Sequence, residues 1–506
     1  MNRLKTPGVL FAFAAVIIAF FPSCGAKNIQ TVKTAAELRY GFTTEPSTLD
    51  PLNPANTADG RSILFNVFEG LVKPDTAGEL QPCIAESWTI EQGGLVYNFT
   101  LRQDLRFHDD SVLTAADVKF SLETAASAAF DGLVKIEKIT ADDNNHVTIT
   151  LKSPDPEFLP YMTIGIVKAG NTDREKSVIG TGPFFIESYT AQQNLILRKF
   201  NGYRQQPLQP LPYLEKVTIL FFADSDALML ALRGGGIDGA FITGSLVSQL
   251  NRKEFDVFHG YSASVQLLAL NNAAPLDDVR VRRAINYAVD VQGIIDTAFF
   301  GRGEPSGSPV IPGLSVSYEK SLEYPIDPEQ ARSLLAQAGY GEGRRLALEI
   351  TVPSNYTMHV DTAQVIADQL SKAGIDVSIK LVDWAGWLSG VYRNRQYQAT
   401  VISLDSPSVS ARSFLSRYHS KDGSNFINFS NAEFDSVYES ALIETDDEKR
   451  VELYREAQRI IASNAASVYL QDIFYFKVFR GGAFGGVLNY PLYVIDFASI
   501  YGIEKN

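Results

Sequence analysis

The chain has 506 residues, of which 45% are hydrophobic and 20% are charged, so its composition is that of an ordinary folded protein and excludes intrinsic disorder, collagen and coiled coil as global descriptions. The 45 Lys and Arg residues against 58 Asp and Glu residues give a formal net charge of −13, and a surface this acidic repels phosphate backbones, which argues against nucleic acid as a partner. Two cysteines and five histidines leave little material for a disulfide framework or a multi-ligand metal centre.

The first 24 residues have the pattern of an export signal. Two basic residues precede an apolar run at residues 9–21, which as a helix reaches roughly 20 Å and falls short of the ~30 Å hydrocarbon core of a membrane. Cys24 follows this run where bacterial lipoprotein signals place the cysteine that is lipidated. We therefore predict a lipoprotein-type signal peptide at residues 1–24, with ordinary cleavage near Cys24 as the alternative. A lipid on Cys24 would leave Cys83 without a disulfide partner.

A polar tether at residues 25–36 is predicted to precede the folded body. Period-two alternation of apolar and polar residues predicts strands at residues 38–43, 95–101 and 147–151. A helix is predicted to begin near Ala115, because Thr114 supplies an N-cap directly before an apolar periodic run.

The rest of the chain alternates helices with strands. Strand-like runs occupy residues 345–352 and 377–381. Together these patterns predict a mixed α/β architecture in more than one lobe, without a linker rich in proline, glycine or serine between lobes. Helices with N-cap signals are predicted at residues 224–232, 278–289, 327–338, 360–372 and 446–462.

Catalytic and metal-binding signatures are missing from the sequence. No histidine has a second histidine or cysteine at ligand spacing, and neither a G-x-S-x-G elbow nor a Walker A motif is present. Gly234, Gly236 and Gly239 spell G-x-G-x-x-G, but they follow a predicted helix instead of a strand, so we interpret them as a helix C-cap and turn. An exported chain with this profile is better explained as a binding protein than as an enzyme, and no cofactor is predicted.

Six segments carry a resemblance to a known family. Residues 85–124 (AESWTIEQGGLVYNFTLRQDLRFHDDSVLTAADVKFSLET) closely resemble a signature of family 5 of the extracellular solute-binding proteins, which serve peptide-type ABC importers. Further matches run in the right order along essentially the whole mature chain. They lie at residues 45–51 (EPSTLDP), 180–184 (GTGPF), 231–238 (ALRGGGID), 270–290 (LNNAAPLDDVRVRRAINYAVD) and 327–340 (DPEQARSLLAQAGY).

This resemblance implies a periplasmic-binding-protein-like fold of type II, cluster C: a two-lobed α/β clamp of three domains with mixed sheets and a hinge of two crossing strands. Closure of such a hinge around a ligand is a known switching mode. The implied divisions are domain I at residues 37–70, 180–262 and 478–506, domain II at residues 71–179, and domain III at residues 263–477.

The resemblance also implies where a ligand would bind. In peptide binders of the family, an aspartate at the end of a domain III strand receives the ligand's α-ammonium, and Asp405 occupies that place in residues 401–407 (VISLDSP). The other residues expected at the cleft lie in matched loops, whose backbone groups could pair with an extended peptide. These are Ser47, Thr48, Thr181, Gly182, Tyr356 and Trp384, although Trp384 and Trp387 could equally belong to the core, and for a ligand carboxylate the sequence leaves Arg393, Arg395, Arg412 and Arg417 open.

The sequence thus predicts an extracytoplasmic substrate-binding component that captures short peptides and delivers them to the transmembrane subunits of an ABC permease. We expect a monomer, periplasmic or at the cell surface, held to the membrane by a lipid on Cys24. Two alternatives stay open. One is a non-peptide solute, either a nickel complex or an oligosaccharide; for a nickel complex, His419 would be the residue to examine. The other alternative is a secreted hydrolase.

Overall fold

The computed structural model describes residues 32–33 and 36–504, apart from residues 131, 204–211, 243, 315 and 406–409. The predicted signal peptide with Cys24 lies outside the described residues, as does most of the predicted tether. Within the described residues, no helix is both long and apolar enough to cross a membrane.

The predicted strands and helices are present with shifts of one to three residues at their ends. Local signals account for this agreement: Thr114 and Asp117 form a capping box at the start of the helix predicted near Ala115, and the side chains of Asp224, Asp327 and Asp446 cap three further helices. The helix Ser225–Gly234 ends on the first glycine of the G-x-G-x-x-G segment, and Gly235 caps it in a left-handed conformation, which confirms the C-cap interpretation. The helices of six residues or more are Ala58–Leu64, Ala115–Ser127, Ser225–Gly234, Val279–Ala288, Val291–Ala298, Pro328–Gln337, Thr357–Lys372, Trp387–Arg393, Ala432–Ile443 and Asp447–Ser463; shorter ones are Leu133–Lys135, Leu159–Thr163, Gly244–Val247, Trp384–Gly386, Ala411–Leu415 and Ser416–Tyr418.

Most strands join one large mixed sheet. In spatial order its members are Ile375–Val382, Leu346–Pro353, Ala399–Asp405, Phe255–Leu270, Ser467–Arg480, Gly239–Ile242, Ala36–Phe42, Leu214–Phe221, Asn194–Lys199 and Phe184–Thr190, with Gly303–Pro305 paired to Ser467–Arg480. A separate antiparallel sheet contains Ala85–Glu91, Val96–Leu101, His146–Leu151 and Ile136–Thr140. Small pairings involve Val72–Pro74 with Leu80–Pro82, and Val32–Lys33 and Phe484–Gly485 with Tyr501–Ile503.

Two long strands in the middle of the large sheet, Phe255–Leu270 and Ser467–Arg480, divide the molecule, and we call them the crossing strands. They pair antiparallel from Phe255 opposite Arg480 to Ala269 opposite Ser467. We call the chain outside them (residues 36–254 and 481–504) the first lobe, and the chain between them (residues 271–466) the second lobe. The architecture is therefore the predicted two-lobed clamp, with one sheet running continuously through the hinge.

Each lobe has its own hydrophobic core. The largest buried cluster of the first lobe includes Tyr40, Phe99 and Phe158. Two others lie in the second lobe and on the crossing strands, one around Phe434 and the other around Ile350. The buried apolar area is thus divided between the lobes, and residues of the crossing strands contribute to these clusters.

Candidate functional site

Carboxylates of both lobes meet at Tyr475, which lies on a crossing strand opposite Gly260. Burial raises the pKa of the Tyr475 hydroxyl, and the negative charges of Asp59 and Asp405 raise it further. Asp59 belongs to the first lobe and Asp405 to the second, so the charges of carboxylates from both lobes act on one phenol of a crossing strand. The neighbouring Asp472 and Tyr356 contribute in the same direction.

The first-lobe wall of the cleft is aromatic around one buried carboxylate. The ring of Tyr493 packs edge-on against that of Tyr475, with centroids 4.6 Å apart, and stacks on Phe241 at 4.7 Å. The Tyr493 hydroxyl donates to Asp59 Oδ1 at 2.6 Å. Asp59 stands in the first turn of the helix that Thr57 caps, and burial raises the pKa of its carboxyl although the hydrogen bond from Tyr493 opposes the rise. These contacts therefore fix the position of the Tyr493 ring relative to Asp59 and Tyr475.

The second-lobe wall carries an exposed carboxylate and a partly exposed aromatic pair. Asp405 is the exposed last residue of its strand and pairs with Ser264 of a crossing strand. Tyr356 precedes the helix Thr357–Lys372 and packs edge-on against Trp384, with ring centroids 5.5 Å apart. Tyr356 is 39% exposed and Trp384 is 38% exposed, so neither is a core residue. In the described part of the chain Asp405 has no cationic partner.

Trp384 and Trp387 differ in burial although their rings stack. Their centroids are 5.1 Å apart with an angle of 4° between the planes. Trp387 is only 3% exposed, and its Nε1 donates to Thr400 Oγ1 at 3.0 Å. Trp387 is thus the core residue of the pair, and it supports Trp384 from below.

The predicted first-lobe residues are held by contacts within that lobe. Ser47 is exposed but its hydroxyl donates to the Ala55 carbonyl at 2.9 Å, and the buried Thr48 hydroxyl donates to the Glu175 carboxylate. Gly182 donates its amide to the Val67 carbonyl at 2.9 Å. The structure does not bring these side chains to Asp405, and a role for Ser47, Thr48 or Gly182 in binding stays a prediction.

Thr181 lies beside a buried carboxylate that fixes its loop. Its hydroxyl donates to Glu69 Oε2 at 3.2 Å, and Tyr203 donates to Glu69 Oε1 at 2.9 Å. Burial raises the pKa of Glu69, while the positive charge of Lys73 and these hydrogen bonds oppose the rise. Cys83 is a free, buried thiol in the same cluster. Thr181 therefore also stays a predicted ligand contact.

Contacts within the protein occupy two of the four arginines that the sequence leaves open. Arg412 Nη1 lies 2.5 Å from Asp155 Oδ1, and Arg395 donates to Asn428 Oδ1 at 2.9 Å. Arg393 is exposed, and Arg417 has a buried Nη1 without a hydrogen-bond partner in the described part of the chain. These last two have no described ion pair or hydrogen bond, and the choice of an arginine for a ligand carboxylate stays open.

No three metal-ligating side chains converge anywhere in the described residues. His419 Nε2 lies 3.1 Å from Glu439 Oε1 and packs against the Tyr438 ring. These contacts use His419 within the second lobe.

Sequence reasoning missed three residues of this site: Asp59, Tyr475 and Tyr493. They lie on three chain segments that meet only in the folded molecule, and none forms a local motif. An aromatic residue on a predicted strand more often packs in a core, so the sequence offered no signal that could have found them.

Comparisons with known proteins agree with the fold. A family model described as bacterial extracellular solute-binding proteins, family 5 middle, matches residues 79–426. The glutathione-binding protein GsiB of Salmonella paratyphi A is 28% identical over 471 residues, 88% of each chain, and heme-binding protein A of Haemophilus influenzae is 27% identical over 524 residues, 92% of this chain and 93% of the relative. The unliganded open form of the periplasmic murein tripeptide binding protein MppA superposes with a TM-score of 0.82 at 20% identity, covering 94% of this chain and 99% of MppA.

Proposed function

This chain belongs to family 5 of the bacterial extracellular solute-binding proteins, the substrate-binding components of ABC importers, and we propose that the solute it captures between its lobes is a short peptide. Members of this family are periplasmic or extracellular and work with ABC permeases, and the family's proteins bind solutes rather than catalyse reactions.

The arrangement at the second-lobe wall carries the peptide assignment. Asp405 presents an exposed carboxylate without a described cationic partner at the end of its strand, and Tyr356 and Trp384 of the same lobe present partly exposed rings that pack against each other. A carboxylate takes the α-ammonium of a peptide in charge-assisted hydrogen bonds, and aromatic rings take apolar or planar side chains. An unblocked peptide supplies both groups on one molecule.

The relatives support the same solute class. The solute named for MppA is a murein tripeptide and that named for GsiB is glutathione, which is itself a small peptide. Thr48, Ser47 and Thr181 would then contribute through backbone groups, because their side chains are engaged within the first lobe, and Gly182 would position this loop through its own backbone bond to Val67.

The domain division and the anchor are finer parts of the proposal. We place domain I at residues 37–70, 180–262 and 478–506, domain II at residues 71–179, and domain III at residues 263–477. All four strands of the separate antiparallel sheet fall inside the domain II range, which supports that boundary.

We further propose that a lipid on Cys24 anchors a monomeric protein to the membrane. The mass of the mature protein tests this, since a diacylglycerol adduct is expected on Cys24 and is removed by Cys24→Ser.

Identification of the bound solute tests the peptide assignment. Native mass spectrometry of the purified protein identifies co-purified ligand, and calorimetry measures binding of a di- to pentapeptide panel alongside glutathione, heme and a nickel–histidine complex. We expect at least one unblocked peptide to bind more tightly than heme and the nickel complex. If no peptide binds and one of those two does, the assignment is wrong.

A further inference from the structure

A cluster of ion pairs and hydrogen bonds joins the two lobes at a place distant in sequence from the crossing strands. On the first-lobe side it contains Asp155 and Glu157, which follow the strand His146–Leu151. On the second-lobe side Arg412 Nη1 lies 2.5 Å from Asp155 Oδ1, and Tyr454 donates its hydroxyl to Glu157 Oε2. Arg450 Nε lies 3.9 Å from Glu157 Oε1. Partners in different lobes thus form every one of these contacts.

The cluster is largely shielded from solvent. The side chain of Asp155 is 5% exposed and that of Arg412 is 17% exposed, so their attraction is screened less than that of a surface pair. Lys135 of the first lobe holds the other carboxylate oxygen of Asp155 at 2.6 Å. Because Lys135 and Arg412 outweigh the effect of burial, the pKa of Asp155 lies below its usual value and the carboxylate stays ionised near neutral pH. Breaking the interlobe pair therefore leaves Asp155 charged but still neutralised by Lys135.

Rotation about the crossing strands would separate these partners, since Asp155 and Glu157 move with one lobe and Arg412 and Tyr454 with the other. Arg412 also follows Asp405 by only seven residues, so the candidate ligand carboxylate and the interlobe contact belong to one stretch of the second lobe. In this structure the contacts of the cluster hold Asp155 and Glu157 of the first lobe against Arg412, Arg450 and Tyr454 of the second.

We propose that Asp155, Glu157, Arg412 and Tyr454 form a latch that stabilises the closed arrangement of the two lobes. The latch rests on the two-lobed fold and not on the identity of the solute. It acts on the equilibrium between open and closed protein, so that its loss lowers the affinity for any solute that the closed form binds.

The test measures the open-to-closed ratio of the full-length protein without added solute. Dyes attached to unnatural amino acids at Lys176 and Lys372, whose side chains are 85% and 69% exposed, report the distance between the lobes by single-molecule energy transfer. We expect Arg412→Met to shift the ratio toward the open form at least tenfold and to raise the radius of gyration in solution scattering. Arg198→Met is the matched control, because it removes an exposed ion pair with Glu187 inside the first lobe.

Tyr454→Phe provides a second variant that keeps the buried ring and removes only the hydroxyl bound to Glu157. If Arg412→Met does not fold, Tyr454→Phe tests the latch in its place, and we again expect a shift toward the open form. An energy-transfer distribution that the folded latch variant leaves unchanged overturns the proposal. So does an equal shift in Arg198→Met, or a wild-type protein in which the only population has the lobes apart. Solute binding does not enter this measurement, so its result is independent of the peptide assignment.

Discussion

Replacing Asp405 with asparagine is expected to weaken peptide binding selectively through the ligand's α-ammonium. The substitution keeps the size of the side chain and its hydrogen-bonding oxygen but removes the negative charge. Asp405 is exposed at the end of its strand and has no cationic partner in the described residues, so its loss should leave the fold intact. The effect should therefore appear in affinity and not in the melting temperature.

The exposure of the Asp405 carboxylate sets the expected loss of peptide affinity. A hydrogen bond to a charged group contributes about 1.5–3 kcal/mol, and each 1.4 kcal/mol changes Kd tenfold. Solvent screens an exposed carboxylate more than a buried one, so the loss should fall near the lower end, at roughly 10- to 30-fold in Kd.

A comparison of blocked and unblocked peptide isolates this interaction. Calorimetry with tetra-alanine and N-acetyl-tetra-alanine, or with the best peptide of the panel and its acetylated form, measures the cost of removing the ammonium. Acetylation should weaken binding roughly 10-fold or more in the wild-type protein and hardly at all in Asp405→Asn. Asp376→Asn, which removes an exposed second-lobe ion pair with Arg345, should behave as wild type. An acetylation cost that is the same in wild type and Asp405→Asn would refute the assignment of Asp405.

Three further outcomes follow from burial and charge. Trp387→Ala should destabilise the protein by about 3–5 kcal/mol, seen as a lower melting temperature, because it empties a core site and frees the Thr400 hydroxyl. Trp384→Ala should leave the melting temperature within a few degrees but weaken binding of peptides with aromatic side chains by calorimetry. Tyr203→Phe should destabilise by about 1.5–3 kcal/mol at pH 8 and by less at pH 5, compared by thermal melts at both pH values. The sign follows from the raised pKa of Glu69, because folding favours the protonated carboxyl. The contribution of Glu69 to the free energy of unfolding therefore falls as the pH rises above the pKa of Glu69 in the unfolded chain. Tyr203→Phe removes a hydrogen-bond donor to the ionised carboxylate, so this contribution falls more steeply in the variant. A Tyr203→Phe deficit that is larger at pH 5 would contradict this.

Most of the secondary structure could be predicted from the sequence because its signals are local. The capping box at Thr114 and Asp117 lies within one helical turn, and the alternation in residues 147–151 lies within one strand. The family resemblance extended these elements to a two-lobed clamp. The crossing strands themselves were not assigned from periodicity, because each continues from one lobe into the other and changes its surroundings on the way.

The site was only partly predictable for the same reason. Asp405 was named because its strand end matches a family pattern; the structure shows it exposed at that strand end, and its role in binding stays a prediction. Asp59 and Tyr493 are 434 residues apart in the chain and meet only after folding. Burial, which separates Trp384 from Trp387, is likewise a property of the packed molecule.

The sequence by itself determined that this is an acidic binding protein with the α/β clamp of its family, because composition, caps and motifs are properties of neighbouring residues. Only the tertiary structure decided which carboxylates share the cleft, which arginines are engaged by the protein, and how the lobes touch. Contacts such as Arg412 with Asp155 join residues 257 positions apart, and the chain carries no local record of them. They exist because strand pairing and core packing bring those segments together.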